Sequence, residues 1–256
     1  MIDLPKEIKL YRLENEVDFK VAWQSTSGDT PIARAVSAGI RADRLSWVFI
    51  SGYQSAIRLA FAGIPEDEWW SFAVSEDKAG CLPGVQLSHG RLSGTKTWVA
   101  SCDHVDGVIV TAAGRCYQVS RHAEGVQFEH YASTSFLRDM STGKVTLENA
   151  DAHSAIEMRL DFRLAEPVAL MAASAGYLWR EATRYREHSL LQGCEVVFNR
   201  LAGLVQIDAK LVSAIYSEVA RLGKECAKIA EIRGDGSEED WRQNGRLLSL
   251  YKKTLA

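Results

Sequence analysis

The chain has 256 residues, 46% hydrophobic and 25% charged, with only 5 prolines; that is material for one large folded unit or two to three small ones and excludes wholesale disorder. Thirty basic against 33 acidic residues leave a net charge of −3, without the basic surplus or stripe of a nucleic-acid binder. The start, Met1-Ile2-Asp3-Leu4-Pro5-Lys6-Glu7, lacks a basic and then apolar leader, and no apolar run approaches the roughly 18 residues that span a bilayer, so a cytoplasmic protein with no membrane partner is expected.

Residues 32–61 read as one helix. Leu45, Val48, Phe49, Gly52, Ala56, Leu59 and Ala60 recur at i, i+3, i+4 spacing and make an apolar face, and Gly63-Ile64-Pro65 ends it. From Trp69 to about Phe162 the pattern changes to strands. Candidates are 69–74, 85–87, 91–93, 107–111, 116–120, 126–131, 145–147 and 158–162. Ser88-His89-Gly90 supplies a hairpin turn, and the apolar run Gly107-Val108-Ile109-Val110-Thr111 a strand covered on both faces. Short strands at this spacing predict a small barrel or sandwich.

From Glu166 the helical period returns. Val168, Met171, Ala172, Ala175, Leu178, Trp179, Ala182 and Tyr185 form one stripe. Leu201, Leu204, Val205, Leu211, Val212, Ile215, Val219 and Leu222 form a second, interrupted by Asp208. Gly234-Asp235-Gly236-Ser237 breaks it, and Glu238, Glu239 and Asp240 suit the first turn of a last short helix. The predicted class is α+β: N-terminal helices (1–68), a central antiparallel barrel-like β-domain (69–164) and an incomplete C-terminal helical bundle (165–256). No Rossmann or P-loop glycine pattern and no nucleophile elbow occurs.

Cys81, Cys102, Cys116, Cys194 and Cys226 have no CxxC spacing and read as reduced thiols. His89, His104, His122, His130, His153 and His188 show no i, i+4 pairing or carboxylate companion at metal spacing, so no metal site is expected.

Three stretches carry a resemblance to a known family. The first, Phe72-Ala73-Val74-Ser75-Glu76-Asp77-Lys78-Ala79-Gly80-Cys81, looks like a strand and loop of the form Y-x-x-T-E-P-x-A-G-S-D. In the second, Leu92-Ser93-Gly94-Thr95-Lys96-Thr97-Trp98-Val99-Ala100-Ser101 precedes Val105-Asp106-Gly107-Val108-Ile109-Val110; it looks like l-x-G-x-K-x-W-I-T-N followed by A-D-x-x-l-v. The third runs from Glu166 to Arg180. Together, over most of 35–222, they resemble the acyl-CoA dehydrogenase family of flavoproteins. That resemblance implies FAD as cofactor, an acyl-CoA as substrate and α,β-desaturation, with the flavin between the β-domain and the C-terminal helices. It implies Phe72, Val74, Ser75, Trp98, Val99 and Ala100 beside the flavin, Cys81 near the substrate thioester, and Glu166 as the base that takes the α-proton.

Read by itself, Glu166 before Pro167 is an ordinary helix-start residue with Pro at N1, and Trp98 an ordinary packed strand aromatic. The sequence also departs from the family pattern. Ser75 and Ala100 stand where the family has Thr, Cys81 where it has Ser, and Leu82 where it has Asp. Ser189-Leu190-Leu191-Gln192-Gly193 lacks the family's pyrophosphate-gripping Arg, and Arg184 and Arg186 fall on other faces. The N-terminal helical part is short, and the sequence stops before the family's last two long helices, so the C-terminal stripes are expected to need another surface. A homo-oligomer, or a heteromer with a homologous subunit, is therefore expected through 166–222. The readings left open are a dehydrogenase, a non-catalytic structural partner of a full-length homologue, and a flavin monooxygenase or nitroalkane-type oxidase.

Overall fold

A computed structural model describes residues 12–26, 28–132, 135–152, 154–203 and 207–251. His153, Leu204 and Val205, singled out above, lie outside them. The first helix, α1 (Glu16–Gln24), was not predicted. Asn15 caps it by accepting from the Asp18 amide at 3.0 Å, and Phe19 and Trp23 turn inward. The single helix expected over 32–61 is two, α2 (Pro31–Arg41) and α3 (Leu45–Ala60). Ala42 and Arg44 are extended, and Arg44 is held out of helix by pairing with Asp43 and with Asp139 at 2.9 Å. No Gly or Pro marks the break; one partner is the neighbouring Asp43 and the other, Asp139, lies 95 positions away.

Eight strands follow among the described residues. β1 (Trp70–Ala73), β4 (Gly107–Ala112), β5 (Arg115–Ser120) and β8 (Ser154–Ile156) form one sheet in the order β1-β4-β5-β8. β2 (Gln86–Ser88), β3 (Arg91–Ala100), β6 (Val126–His130) and β7 (Thr142–Asp151) form the other, in the order β2-β3-β7-β6. The α+β class is as expected, but the barrel-like module is two four-stranded sheets and no closed barrel. Nor is it wholly antiparallel, because β1 pairs with β4 in parallel; the β2–β3 hairpin lies between them in sequence. His89 and Gly90 take φ of 49° and 77° in the hairpin turn, as a turn with two left-handed residues requires. Residues 158–161 are not a strand. Met158 pairs singly with Phe61, and helix begins at Phe162.

The C-terminal half is α4 (Phe162–Tyr185), α5 (His188–Ala202), α6 (Ala209–Arg233) and α7 (Ser237–Asn244), then a 3-10 turn at Gly245–Ser249. Helix α4 starts a turn earlier than expected. Asp161 caps it by accepting from the Arg163 amide at 2.9 Å, so Pro167 lies inside the helix rather than at N1 and leaves the Arg163 carbonyl without its helical donor. The second predicted stripe spans two helices, and Asp208 is the cap of α6, accepting from the Leu211 amide at 2.8 Å.

Helix α4 is central. Ala165 and 167–178 are buried, because α2 and α3 cover one side and α5 and α6 the other. The α4 stripe thus finds its cover inside the chain. Small residues allow the crossing: a Cβ on Gly39 of α2 would sit 2.0 Å from the Ala173 carbonyl oxygen, and one on Gly176 of α4 2.2 Å from that of Val36. Aromatic rings tie α1 to this core. Phe19 stacks on Trp47 at 5.2 Å, and the guanidinium groups of Arg34 and Arg58 lie over Trp23 at 4.0 and 4.7 Å. Among the described residues no helix is long and apolar enough to cross a membrane.

Candidate active site

The site is a layer of rings between the strands β1 and β3 and the helices α3 and α4. The two strands are tied at this point: the Thr97 amide donates to the Ser75 carbonyl at 2.8 Å and the Ala100 amide to Ser71 Oγ at 3.1 Å. The register of β3 against β7 shifts between Lys96 and Val99. A bulge re-aims side chains, and the two residues inside this shift are Thr97 and Trp98. The half-buried indole of Trp98 meets Tyr53 of α3 edge-on at 5.8 Å and Phe49 at 6.3 Å. Lys96 is buried and pairs with Glu76 of the β1–β2 segment at 2.5 Å, which holds the Glu76 carboxyl below its ordinary pKa.

Tyr53 is fixed at both ends of the layer. Its hydroxyl accepts from the Phe72 amide at 2.9 Å and donates to the Phe72 carbonyl at 3.2 Å. Its ring meets Phe162 at 5.8 Å, and Phe162 meets Phe72 at 4.9 Å. Phe162 and Glu166 are i and i+4 on α4 and share one face. Glu166 is half-buried by its own surface, yet burial pushes its carboxyl up from about 4.5 to about 7, against a hydrogen bond from Tyr251 that lowers it. Burial, and then the Glu166 charge, raise the Tyr251 phenol; burial is also the main cause for Tyr53, with Glu166 adding to it. A carboxyl poised near neutral pH beside rings can act as a general base.

The predicted site residues therefore separate. Phe72, Trp98 and Glu166 are brought together around Tyr53. Val99 and Ala100 are buried, and the Ala100 amide is already engaged by Ser71. Val74 is 47% exposed and Ser75 is exposed at the rim. Cys81 lies in an exposed loop shaped by Asp77, whose carboxylate accepts from the amides of Ala79, Cys81 and Leu82 at 2.9, 2.8 and 3.0 Å. The hydrogen bonds of Cys81 go to Asp77 and Ala79 of its own loop. Tyr53, Phe162 and Tyr251 were missed. The first reads as ordinary helix core, and Phe162 is hidden by its assignment to a strand. No local pattern points to Tyr251.

The four other cysteines are buried, and all five are free. Two histidines do have carboxylate neighbours, His104 with Glu16 at 3.8 Å and His130 with Asp103 at 3.0 Å. No group of three or more metal-binding side chains occurs among the described residues.

The raised carboxyl has a measurable consequence. Below about pH 4.5 Glu166 is protonated folded or unfolded; between about 4.5 and 7 only the folded chain keeps the proton. Stability from this group is thus complete at low pH and is lost as pH rises through that window. Urea denaturation at pH 5 and pH 8 is expected to show the wild type losing stability relative to Glu166→Gln. Parallel pH dependences would contradict the assignment.

No protein-family model matches the sequence, and no curated protein matches it. Solved structures do. An FAD-dependent dehydrogenase aligns over 95% of this chain and 86% of its own, at 14% identity and TM-score 0.63. Butyryl-CoA dehydrogenase from Megasphaera elsdenii aligns over 94% and 87%, at 10% identity and TM-score 0.65. A chain of the ChsE4–ChsE5 complex from Mycobacterium tuberculosis aligns over 82% and 71%, at 17% identity and TM-score 0.50.

Proposed function

We propose, on the premise that this chain has the acyl-CoA dehydrogenase fold, that it is a flavin-dependent oxidoreductase that desaturates an acyl-CoA thioester between Cα and Cβ. The observation that carries this reading is Glu166, a carboxyl raised to about 7 by burial, near enough to Tyr53 for its charge to act on that phenol, while Trp98 meets the Tyr53 ring edge-on at 5.8 Å. The residues suit a flat apolar cofactor at the rim. Trp98 is half-buried and Val74 keeps 47% of its surface exposed, an apolar wall open on one side, and Ser75 offers a hydroxyl beside it. Phe72, Val99 and Ala100 support that wall from within. A bound flavin would supply the acceptor for the hydride that leaves Cβ. Glu166 takes the proton from Cα, the electron pair of that bond becomes the new C=C, and the rings of Tyr53, Phe72 and Phe162 keep water from the carboxylate. Cys81, on its exposed loop, is the residue nearest in pattern to a thioester contact.

Two observations favour the non-catalytic reading, in which the chain partners a full-length homologue: Phe162 packs edge-on against Phe72, and Ser71 already holds the Ala100 amide. Assembly with a second copy or a homologous subunit fits either reading.

The test is the visible spectrum of the purified chain after incubation with FAD, before and after an acyl-CoA. Flavin bands that bleach with the thioester support the enzyme. A protein that stays colourless after reconstitution would sink it and leave the partner reading.

A further inference from the structure

The far end of α4 carries a second polar centre. Arg180 lies about 21 Å farther along this helix than Glu166 and faces a cavity of about 580 Å³ between α4, the start of α3, α7 and the loop that joins β6 to β7. Contacts that span the chain hold these walls together. Asp240 of α7 accepts from the Leu45 amide at 2.8 Å, capping α3, and Asn244 accepts from the Leu137 amide at 2.7 Å. Trp241 packs against Tyr177 of α4 at 5.9 Å. The residues that line the cavity are all polar, charged or glycine. Arg12, Arg44, Arg138, Arg180 and Arg184 stand against Asp43, Asp139, Asp235, Glu239 and Asp240, so the formal charge of the lining is balanced.

The carboxylates are engaged within the chain. Asp43 and Asp139 hold Arg44 at 3.0 and 2.9 Å, Asp235 holds Arg184 at 2.8 Å, and Glu239 pairs with Arg242. Asp240 caps α3 and accepts from the Asn244 side chain at 2.7 Å. Arg180 is different. It is only 6% exposed. Its Nη1 donates to the buried Glu181, and its Nε is buried with no hydrogen-bond partner among the described residues. Glu181 also takes the Nε of Arg184 at 3.0 Å, so Arg180 has a share of one carboxylate and no more. A charged donor left unpaired away from water is costly. We propose that this cavity binds a small hydrophilic carboxylate, whose two oxygens accept from the Nε and Nη2 of Arg180, the edge that Glu181 leaves unused. That edge is the one a carboxylate grips with two parallel hydrogen bonds. A balanced lining takes up one negative charge more readily than the two of a phosphate, and its polar walls offer hydrogen bonds rather than apolar cover to the rest of the ligand.

The experiment uses the full chain without added flavin, ¹⁵N-labelled at arginine, with the Arg180 Nε–H resonance assigned through its own backbone amide. Glycolate is expected to move that resonance to saturation, and chloride at equal ionic strength to leave it in place. By calorimetry, Arg180→Lys should weaken glycolate binding about tenfold, because lysine keeps the charge beside Glu181 but not the planar pair of donors. Inorganic phosphate should bind more weakly than glycolate. An unmoved resonance, or one that chloride moves equally, would overturn the site, and that result needs no variant to fold. Undiminished glycolate affinity in folded Arg180→Lys would overturn the role of Arg180. Tighter binding of phosphate than of glycolate would overturn the carboxylate class.

Discussion

Glu166→Gln, reconstituted with FAD, is expected to keep its flavin spectrum and to lose acyl-CoA bleaching by at least about a hundredfold, the usual worth of a positioned general base. The substitution preserves size and the ability to accept from Tyr251, so the ring layer should remain. What disappears is the proton acceptor. Glutamine cannot take up the α-proton, and the other groups at this position, Tyr53 and Tyr251, are phenols with strongly raised pKa values, which makes them donors rather than bases. Rapid-mixing absorbance is the measurement. Bleaching at the wild-type rate would show that the proton goes elsewhere.

Gly39→Val is expected to cost about 3 kcal/mol or more in urea denaturation, at the upper end of what overpacking does. A Cβ at this position would overlap the Ala173 carbonyl oxygen at 2.0 Å, and the obstacle is backbone, which cannot swing aside. On the same crossing Gly176 meets the Val36 carbonyl in the opposite sense, so α2 cannot slide to relieve one contact without closing the other. The displaced helix would be α4, and Glu166 would move with it. Gly203→Ala is the control. It lies beyond α5 with no atom closer than 3.5 Å to the added methyl group and should change stability by less than about 0.5 kcal/mol. Equal losses in the two variants would refute the close-crossing account.

Much of this arrangement is legible in the chain because local physics agrees with the fold. The β2–β3 hairpin follows from Ser88-His89-Gly90, β4 from a continuous apolar run, and the inward side of α4 from its stripe. Three motifs at fixed places single out Trp98 and Glu166 as candidates. Much of what could not be read depends on distant partners. The α2–α3 break is enforced by Asp43 and Asp139 acting on Arg44. The true start of α4 turns on a single capping Asp161, and missing it hid Phe162 from the site. The re-aiming of Trp98 needs a register shift against β7, which alternation along β3 does not foretell. Tyr251 comes near Glu166 only after α5, α6, α7 and the 3-10 turn have folded back.

The long reach of α7 bears on how the protein is made. Asp240 and Leu45 are separated by 195 positions, and Asn244 and Leu137 by 107. Loops of that length close late and slowly. Newly synthesised α3 must wait with an unfinished end until Asp240 has emerged from the ribosome, so nascent chains halted before Asp240 should be far more open to protease than chains released after it.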